Sequence, residues 1–217
     1  MTVKIVKAKP RLRRYTDLAA AIHLLQTKSL TILDPEKWDD GNDRAALAEY
    51  KKRRELKSLL ALCFADCNET YHHWKVFAPG MSGICIEFRR ELLIPAFDLM
   101  LGVQHRSVEY RPIDLLAKKP FAPWNVDDLP FLKRAPYKPE AEYRVIYCST
   151  EEETKAVSIE IDLSWIDSIK LSPWMPKALH PAVRTALRRI DGCGTLPVQS
   201  TTLIDSETWK LRIEGAV

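Results

Sequence analysis

Hydrophobic and polar residues recur along this chain with two periods, and these periods distinguish predicted strands from predicted helices. Apolar runs and β-branched stretches predict strands at 30–33, 59–64, 83–88, 104–110, 156–161, 167–171, 196–204 and 208–213. Helical spacing of apolar residues, or a charged stretch between turn signals, predicts helices at about 17–28, 43–58, 71–77 and 176–190. Because strands and helices do not alternate regularly, the pattern favours an α+β fold.

The stretch from Tyr137 to Cys148 carries the strongest chemical signal in the sequence. A proline-containing turn leads into strand-forming residues, and in a strand Glu140, Glu142 and Arg144 share one face. Two carboxylates held close together have their pKa values pushed apart, which suits acid–base catalysis or the stabilisation of a developing cation. The alternative is that Arg144 neutralises both glutamates on a solvated sheet face.

Composition limits the classes of protein to consider. With 217 residues, 46% of them hydrophobic and 29% charged, the chain is long and apolar enough for a single domain over residues 1–217. The formal net charge of +4 does not by itself demand a nucleic-acid partner. The five cysteines lack the spacing of a zinc site, so we expect no metal. The first residues have no long apolar core, so we expect a cytoplasmic protein with no membrane association.

A basic segment lies near the N-terminus. Lys7, Lys9, Arg11 and Arg13 alternate with other residues, so an extended backbone would align four cations on one side. Such a row suits a phosphate-rich ligand, which keeps a phosphate-binding or nucleic-acid-binding face open. The alternative is a solvated basic arm without a ligand.

Several short motifs follow one another between about residues 11 and 148: Arg14-Tyr15, Leu30–Leu33, Asp40–Asp43, Cys63-Phe64-Ala65, Trp74–Phe77, Gly83–Phe88 and Glu140–Arg144. In this order they resemble a large bacterial family of uncharacterised function that is often encoded beside phage-defence, or abortive-infection, genes. The resemblance implies a toxin-like effector in bacterial defence. Two motifs depart from the family pattern: Asp-Gly-Asn-Asp replaces Asn-Asp-Pro-Phe, and Val76-Phe77 replaces His-Tyr.

The order of these parts is also similar to that of the ADP-ribosyltransferase superfamily, whose domain has a split, mainly antiparallel sheet flanked by short helices. This resemblance implies NAD as a substrate and an oxocarbenium-like ribosyl cation, which Glu142 would stabilise. Glu140 would position or deprotonate the acceptor. The residues expected to bind the cofactor, with Arg14 on the pyrophosphate and rings against nicotinamide, are Arg14, Tyr15, Tyr71, His73, Trp74 and Phe77. Trp74 and Phe77 also have the spacing of ordinary core residues.

Two other functions stay open at this point. One is a non-enzymatic sensor or binding module whose basic face holds nucleic acid or a nucleotide, with Glu140, Glu142 and Arg144 forming an internal ion network. The other is a hydrolase that uses the same glutamates to cleave glycosidic bonds in nucleotides or nucleic acid. The expected partner is NAD or a related nucleotide, with a nucleic acid or a protein as acceptor, and the oligomeric state is left open.

Overall fold

The computed structural model describes residues 10–112 and 124–215. Within these ranges the chain forms eleven β-strands and six α-helices, joined by short 3-10 turns. The strands are β1 (Arg11–Asp17), β2 (Ser29–Leu33), β3 (Ser58–Ala65), β4 (Gly83–Arg89), β5 (Val103–Ser107), β6 (Glu109–Arg111), β7 (Leu132–Arg134), β8 (Glu142–Ser149), β9 (Ala156–Glu160), β10 (Ile166–Leu171) and β11 (Val198–Ser200). The α-helices are α1 (Leu18–Thr27), α2 (Gly41–Arg53), α3 (Tyr71–Phe77), α4 (Arg90–Asp98), α5 (His180–Arg188) and α6 (Glu207–Glu214).

Nine of these strands form one open sheet. Its order is β11-β10-β4-β1-β3-β2-β9, and β8 and β5 continue from the other side of β3. Every pair in this sheet is antiparallel except β10 with β11. Strands β6 and β7 form a separate parallel pair. The architecture is therefore α+β with a mainly antiparallel sheet, as the irregular succession of predicted elements indicates.

Aspartate caps determine where the first two helices begin. The carboxylate of Asp17, the last residue of β1, accepts a hydrogen bond from the Ala20 N–H at 2.8 Å. Asp40 likewise accepts from the Asn42 N–H at 2.9 Å, so α2 begins at Gly41. This start places Asp43, in the first turn of α2, on the buried side of the helix.

The sheet divides at β3. On one edge, β8 pairs with β3 along its whole length, from Ser58–Ser149 to Ala65–Glu142. The opposite edge is shared, since β1 is in register only at Arg13–Ala65 and β2 only at Leu33–Ala61. Between these two points β3 has no ladder partner on that side, so the halves of the sheet diverge and flank a cleft.

The two faces of the sheet bury different groups of residues. The larger core contains Leu12, Phe64, Ile86 and Val145, with α1, α4 and α5 packed over it. On the other face, α2 covers one end of β3 and β8, and α3 packs over β1, β4 and the Ala65 end of β3. The side chains of Glu142 and Arg144 emerge between these two helices, because they lie opposite Ala65 and Cys63 of β3.

Several predicted elements differ from those observed. The predicted strand at 208–213 is helix α6, which Ser206 caps by accepting from the Trp209 N–H. Residues 135–140 form a 3-10 turn that ends at Ala141 with a left-handed φ of 44°, so β8 begins only at Glu142.

Other elements differ in their bounds. The predicted strand at 104–110 is divided into β5 and β6, and α4 was not predicted. The helices predicted at 43–58 and 176–190 are shorter, at 41–53 and 180–188.

Candidate functional site

The cleft at the division of the sheet has a volume of about 670 Å³. Its walls come from β1, the loop before α2, β3, α3 and the start of β8. Of the residues predicted for the site, it is lined by Arg13, Arg14, Tyr15, His73, Phe77, Glu140 and Glu142. A second depression of about 960 Å³, bordered by Lys28, Arg89 and residues 160–167, contains none of the predicted catalytic residues. The first cleft is therefore the candidate site.

Beneath this cleft, five ionisable side chains form what we call the ion cluster: Asp43, Lys133, Glu140, Glu142 and Arg144. The guanidinium of Arg144 donates to both oxygens of Glu142 at 2.6 and 2.9 Å. It also donates to both oxygens of Asp43, at 2.7 Å each. Arg144 is 0% exposed and Glu142 is 5% exposed. The alternative that these groups lie on a solvated sheet face is therefore wrong.

Lys133 is a member of the cluster that the sequence did not reveal. Its ammonium lies 2.5 Å from Oε2 of Glu140 and 3.3 Å from Oε2 of Glu142. A third carboxylate oxygen, Oδ2 of Asp43, lies 3.5 Å away. Glu140 and Glu142 do converge on one small volume, as expected. They do so through Lys133 and a turn, because Glu140 precedes the strand instead of belonging to it.

The environment gives the two glutamates opposite pKa shifts. Burial by itself would raise the pKa of Glu142, but Arg144 and Lys133 outweigh it and hold the pKa at about 2. Burial raises the pKa of Glu140; Lys133 opposes this shift and the charge of Glu142 adds to it. Glu142 is therefore the permanently ionised member of the pair, and Glu140 is the one better suited to exchange a proton.

His73 holds the backbone at Glu140. One ring nitrogen, Nδ1, lies 2.6 Å from the Thr70 hydroxyl, and the other, Nε2, lies 2.8 Å from the Glu140 carbonyl. Because a carbonyl only accepts, Nε2 carries the proton, and Nδ1 accepts from Thr70. Burial lowers the pKa of His73, which favours this neutral form. The left-handed turn is held further by Ala141, whose carbonyl accepts from the Asp66 N–H at 2.8 Å.

The side chain of Arg14, a residue of β1, lies in the gap that β1 and β2 leave beside β3. Its Nη1 donates to the Cys63 carbonyl at 3.1 Å. Cys63 has no ladder partner on the β1 and β2 side of β3. Within residues 10–112 and 124–215, no carboxylate forms an ion pair with it. Burial lowers the pKa of this guanidinium, but arginine stays charged at neutral pH. The wall of the cleft thus presents a cation that no carboxylate of the described residues neutralises.

The aromatic residues are distributed differently from the expectation. Trp74 is 0% exposed, donates to Glu69 at 2.7 Å and packs edge-on against Tyr15, so it is a core residue and does not fit direct contact with a ligand. Tyr71 is 53% exposed, packs against Trp174 and does not line the cleft.

Two other rings line the cleft. Phe77 lies at its mouth and is 41% exposed. Trp38, which was not predicted, lines the cleft with its ring 5.1 Å from Arg144.

The cation row near the N-terminus is only partly described. Arg13 is buried and donates to Glu87 at 2.7 Å, and Arg11 pairs with Asp167 at 2.6 Å. These two arginines are therefore neutralised internally and do not form a free phosphate-binding row. Lys7 and Lys9 lie outside the described residues.

Among the residues described, no group of three or more His, Cys, Asp or Glu side chains is arranged to hold a metal ion. In the same part of the chain, no helix combines the length and apolarity needed to cross a membrane.

Comparison with known proteins adds no family assignment. No protein-family model matches the chain, and no curated protein matches it.

Proposed function

We propose that this cleft binds NAD or a closely related nucleotide and breaks its N-glycosidic bond, transferring the ribosyl group to an acceptor. The divided, mainly antiparallel sheet is proposed to be ADP-ribosyltransferase-like, and the protein to act as a toxin-like effector in bacterial phage defence. One observation carries the proposal. An arginine without a carboxylate partner among the described residues and a glutamate held ionised line the same 670 Å³ cleft.

Arg14 supplies the anion-binding group. A guanidinium in a partly buried wall forms stronger charge-assisted hydrogen bonds than one in water, and its planar donors match two phosphate oxygens. A pyrophosphate ligand would give Arg14 the counter-ion that the described residues around it do not supply. Because Arg11 and Arg13 are engaged with Asp167 and Glu87, this proposal relies on Arg14 alone among the predicted arginines.

Glu142 and Glu140 divide the chemistry between them. As the bond between the ribose C1′ and the nicotinamide nitrogen breaks, the electron pair leaves with nicotinamide and the ribose becomes an oxocarbenium-like cation. The ionised Glu142 stabilises this cation by charge. The acceptor then forms a bond to C1′, and its proton passes to Glu140, the carboxylate with the raised pKa.

The roles of the neighbouring residues follow from this assignment. His73 acts on Glu140 through the backbone, and Trp74 supports Tyr15 beneath the cleft. Trp38 and Phe77 are the rings at the cleft that can cover a planar base.

The test measures nicotinamide release from NAD together with binding of ADP-ribose by calorimetry. We expect Glu142→Gln to reduce release at least about 100-fold, as expected for loss of one preorganised electrostatic group. Arg14→Gln should weaken ADP-ribose binding by about 10-fold or more, because it removes a charge-assisted contact worth more than about 1.4 kcal/mol. Arg53→Gln is the matched control: Arg53 is an exposed arginine of α2 that pairs with Glu49, away from the cleft.

The outcomes separate the candidate functions. Failure of the wild-type protein to bind ADP-ribose or NAD contradicts the proposal. Release of nucleobases from oligonucleotides without NAD supports the glycosidic hydrolase instead. Salt-sensitive retention of nucleic acid without turnover, unchanged by Arg14→Gln, supports the binding module.

A further inference from the structure

Lys133 lies where the two glutamates of the site meet. It is the middle residue of β7, a three-residue strand whose parallel pairing with β6 sets Lys133 beside Tyr110. Its side chain is only 9% exposed. The ammonium contacts Glu140 at 2.5 Å and Glu142 at 3.3 Å, so one cation bridges two elements of the site.

We infer that Lys133 is a positioning residue whose ammonium draws Glu140 against Glu142, so that the pair faces the cleft as one unit in which Glu140 takes up the proton. The inference rests on the proposed function for its catalytic meaning. The geometry itself, in which Lys133 contacts both carboxylates, does not depend on that function.

The surroundings of Lys133 explain why this cation is needed. Two ionised carboxylates at such close range repel each other strongly in a poorly hydrated site. Arg144 cannot hold Glu140, since its donors are taken up by Glu142, Asp43 and the Pro130 carbonyl. Lys133 is therefore the cation that keeps Glu140 in place, and the ring of Tyr137 lies 4.9 Å from the ammonium on another side.

The charged and titratable groups that act on this pair come from several elements. Asp40 and Asp43 belong to the start of α2, Cys63 to β3, Tyr110 to β6, and Arg144 to β8. Burial raises the pKa of Tyr110 to about 12 and that of the Cys63 thiol well above its usual range, so both stay neutral in the physiological range. Attraction by the surrounding carboxylates outweighs burial and raises the pKa of Lys133, which stays protonated. Of the side chains around Lys133, Glu140 is therefore the carboxyl whose pKa lies above its ordinary value and the one suited to take up a proton.

The experiment follows the side-chain carboxyl carbons of glutamate by ¹³C NMR as the pH changes. Glu140→Gln and Glu142→Gln assign the two resonances. In the wild type we expect Glu142 to titrate below the usual range of glutamate and Glu140 above it. In Lys133→Met we expect both midpoints to move upward, that of Glu140 by at least about one pH unit, because one opposite charge at this range shifts a carboxyl by about 1–3 units.

Two further variants distinguish charge from packing. Lys133→Arg keeps the cation and should return both midpoints to near their wild-type values. Lys138→Met removes an exposed lysine of the 3-10 turn that carries Glu140, and it should leave both midpoints unchanged. Lys133→Gln is measured beside Lys133→Met, with thermal melting to identify the folded variants. A folded neutral variant with wild-type titrations overturns the inference, and so does the failure of both neutral variants to fold.

A pH–rate profile then links the inference to turnover. If NAD is cleaved, the acid limb of the profile should shift upward in Lys133→Met by as much as the NMR midpoint of Glu140. A purely structural role would lower the rate without moving that limb. If no NAD is cleaved, the proposed function fails, while the NMR titration still decides the role of Lys133.

Discussion

Individual charges determine what the cleft can stabilise. Within the ion cluster, three carboxylates (Asp43, Glu140 and Glu142) face two cations (Lys133 and Arg144), which leaves one net negative charge when all are ionised. A buried negative charge is costly unless it is compensated. Under the proposed function, a ribosyl cation forming above the cluster would provide the missing positive charge, and the excess carboxylate would stabilise it without reorganisation.

The residue scale also gives a pH dependence of stability. A folded pKa of about 2 for Glu142, against an ordinary value of 4.5, contributes stability that is complete above pH 4.5 and is lost as the pH falls toward 2. We expect the free energy of unfolding of the wild type to fall by about 2 kcal/mol more between pH 5 and pH 3 than that of Glu142→Gln. Urea denaturation at both pH values measures the difference.

Glu140 provides the internal control for this prediction. Its pKa is raised, so its ionised form destabilises the folded state above that pKa, and acid relieves the cost. Glu140→Gln should therefore show a steeper loss of stability on acidification than the wild type. Equal pH dependence in all three proteins would contradict the assignment of opposite shifts.

At the scale of elements, the turn between α3 and β4 sets the wall of the cleft. Gly83 begins β4, and a Cβ at this position would lie well inside van der Waals contact of the Ala78 backbone carbonyl. Backbone cannot move aside as a flexible side chain can. We expect Gly83→Ala to reduce the free energy of unfolding by about 1–3 kcal/mol and to weaken nucleotide binding, because α3 carries Val76 and Phe77 along the cleft.

A matched glycine gives the comparison for that substitution. At Gly194 a Cβ would meet no atom within 4 Å, and its φ does not lie in the left-handed region. Gly194→Ala should therefore leave stability within about 0.5 kcal/mol of the wild type. Chemical denaturation and ADP-ribose calorimetry are made on both variants. A similar loss in both would mean that the contact at Ala78 is not the cause.

Local patterns predicted the central elements well. Apolar runs placed β3 and β4 within one or two residues, and the helix at Tyr71–Phe77 has the expected bounds. The predicted strand at 208–213 failed because alternation alone cannot supply a partner strand, whereas the Ser206 cap supports a helix locally. The proline-containing turn before β8 was predicted, but its extent was not: it includes Glu140 and ends at Ala141, whose left-handed conformation the residue type does not indicate.

Within the ion cluster, only the members that lie close together in sequence were predictable. Glu140 and Glu142 are two residues apart, and their spacing was enough to indicate convergence. Arg144 and Asp43 are separated by 101 positions, so their bidentate pairing depends on the packing of α2 against β8. Lys133 lies in a proline-containing segment with no periodic pattern, and no local signal marks it. These contacts are properties of the tertiary structure.

At the scale of the whole molecule, the two ends of the chain contribute unequally. The larger core includes residues from Leu12 in β1 to Val198 in β11, so the fold needs both the first and the last strands of the described sheet. Helix α6 follows that sheet and has no buried residue, with Trp209, Leu211 and Ile213 each more than half exposed. The helix therefore stands outside the core that supports the cleft.

This arrangement predicts that the chain can be shortened without loss of the site. A chain that ends at Thr202 keeps β11 and the contacts of Ser200 with Arg184 and His180. Among the described residues, it loses the exposed ion pair between Lys177 and Asp205, and such pairs are worth at most about 1 kcal/mol. We expect the free energy of unfolding to change by less than about 1 kcal/mol and ADP-ribose affinity to stay unchanged. A loss above about 2 kcal/mol in urea denaturation would show that α6 supports the sheet, because exposed helical residues alone cannot account for it.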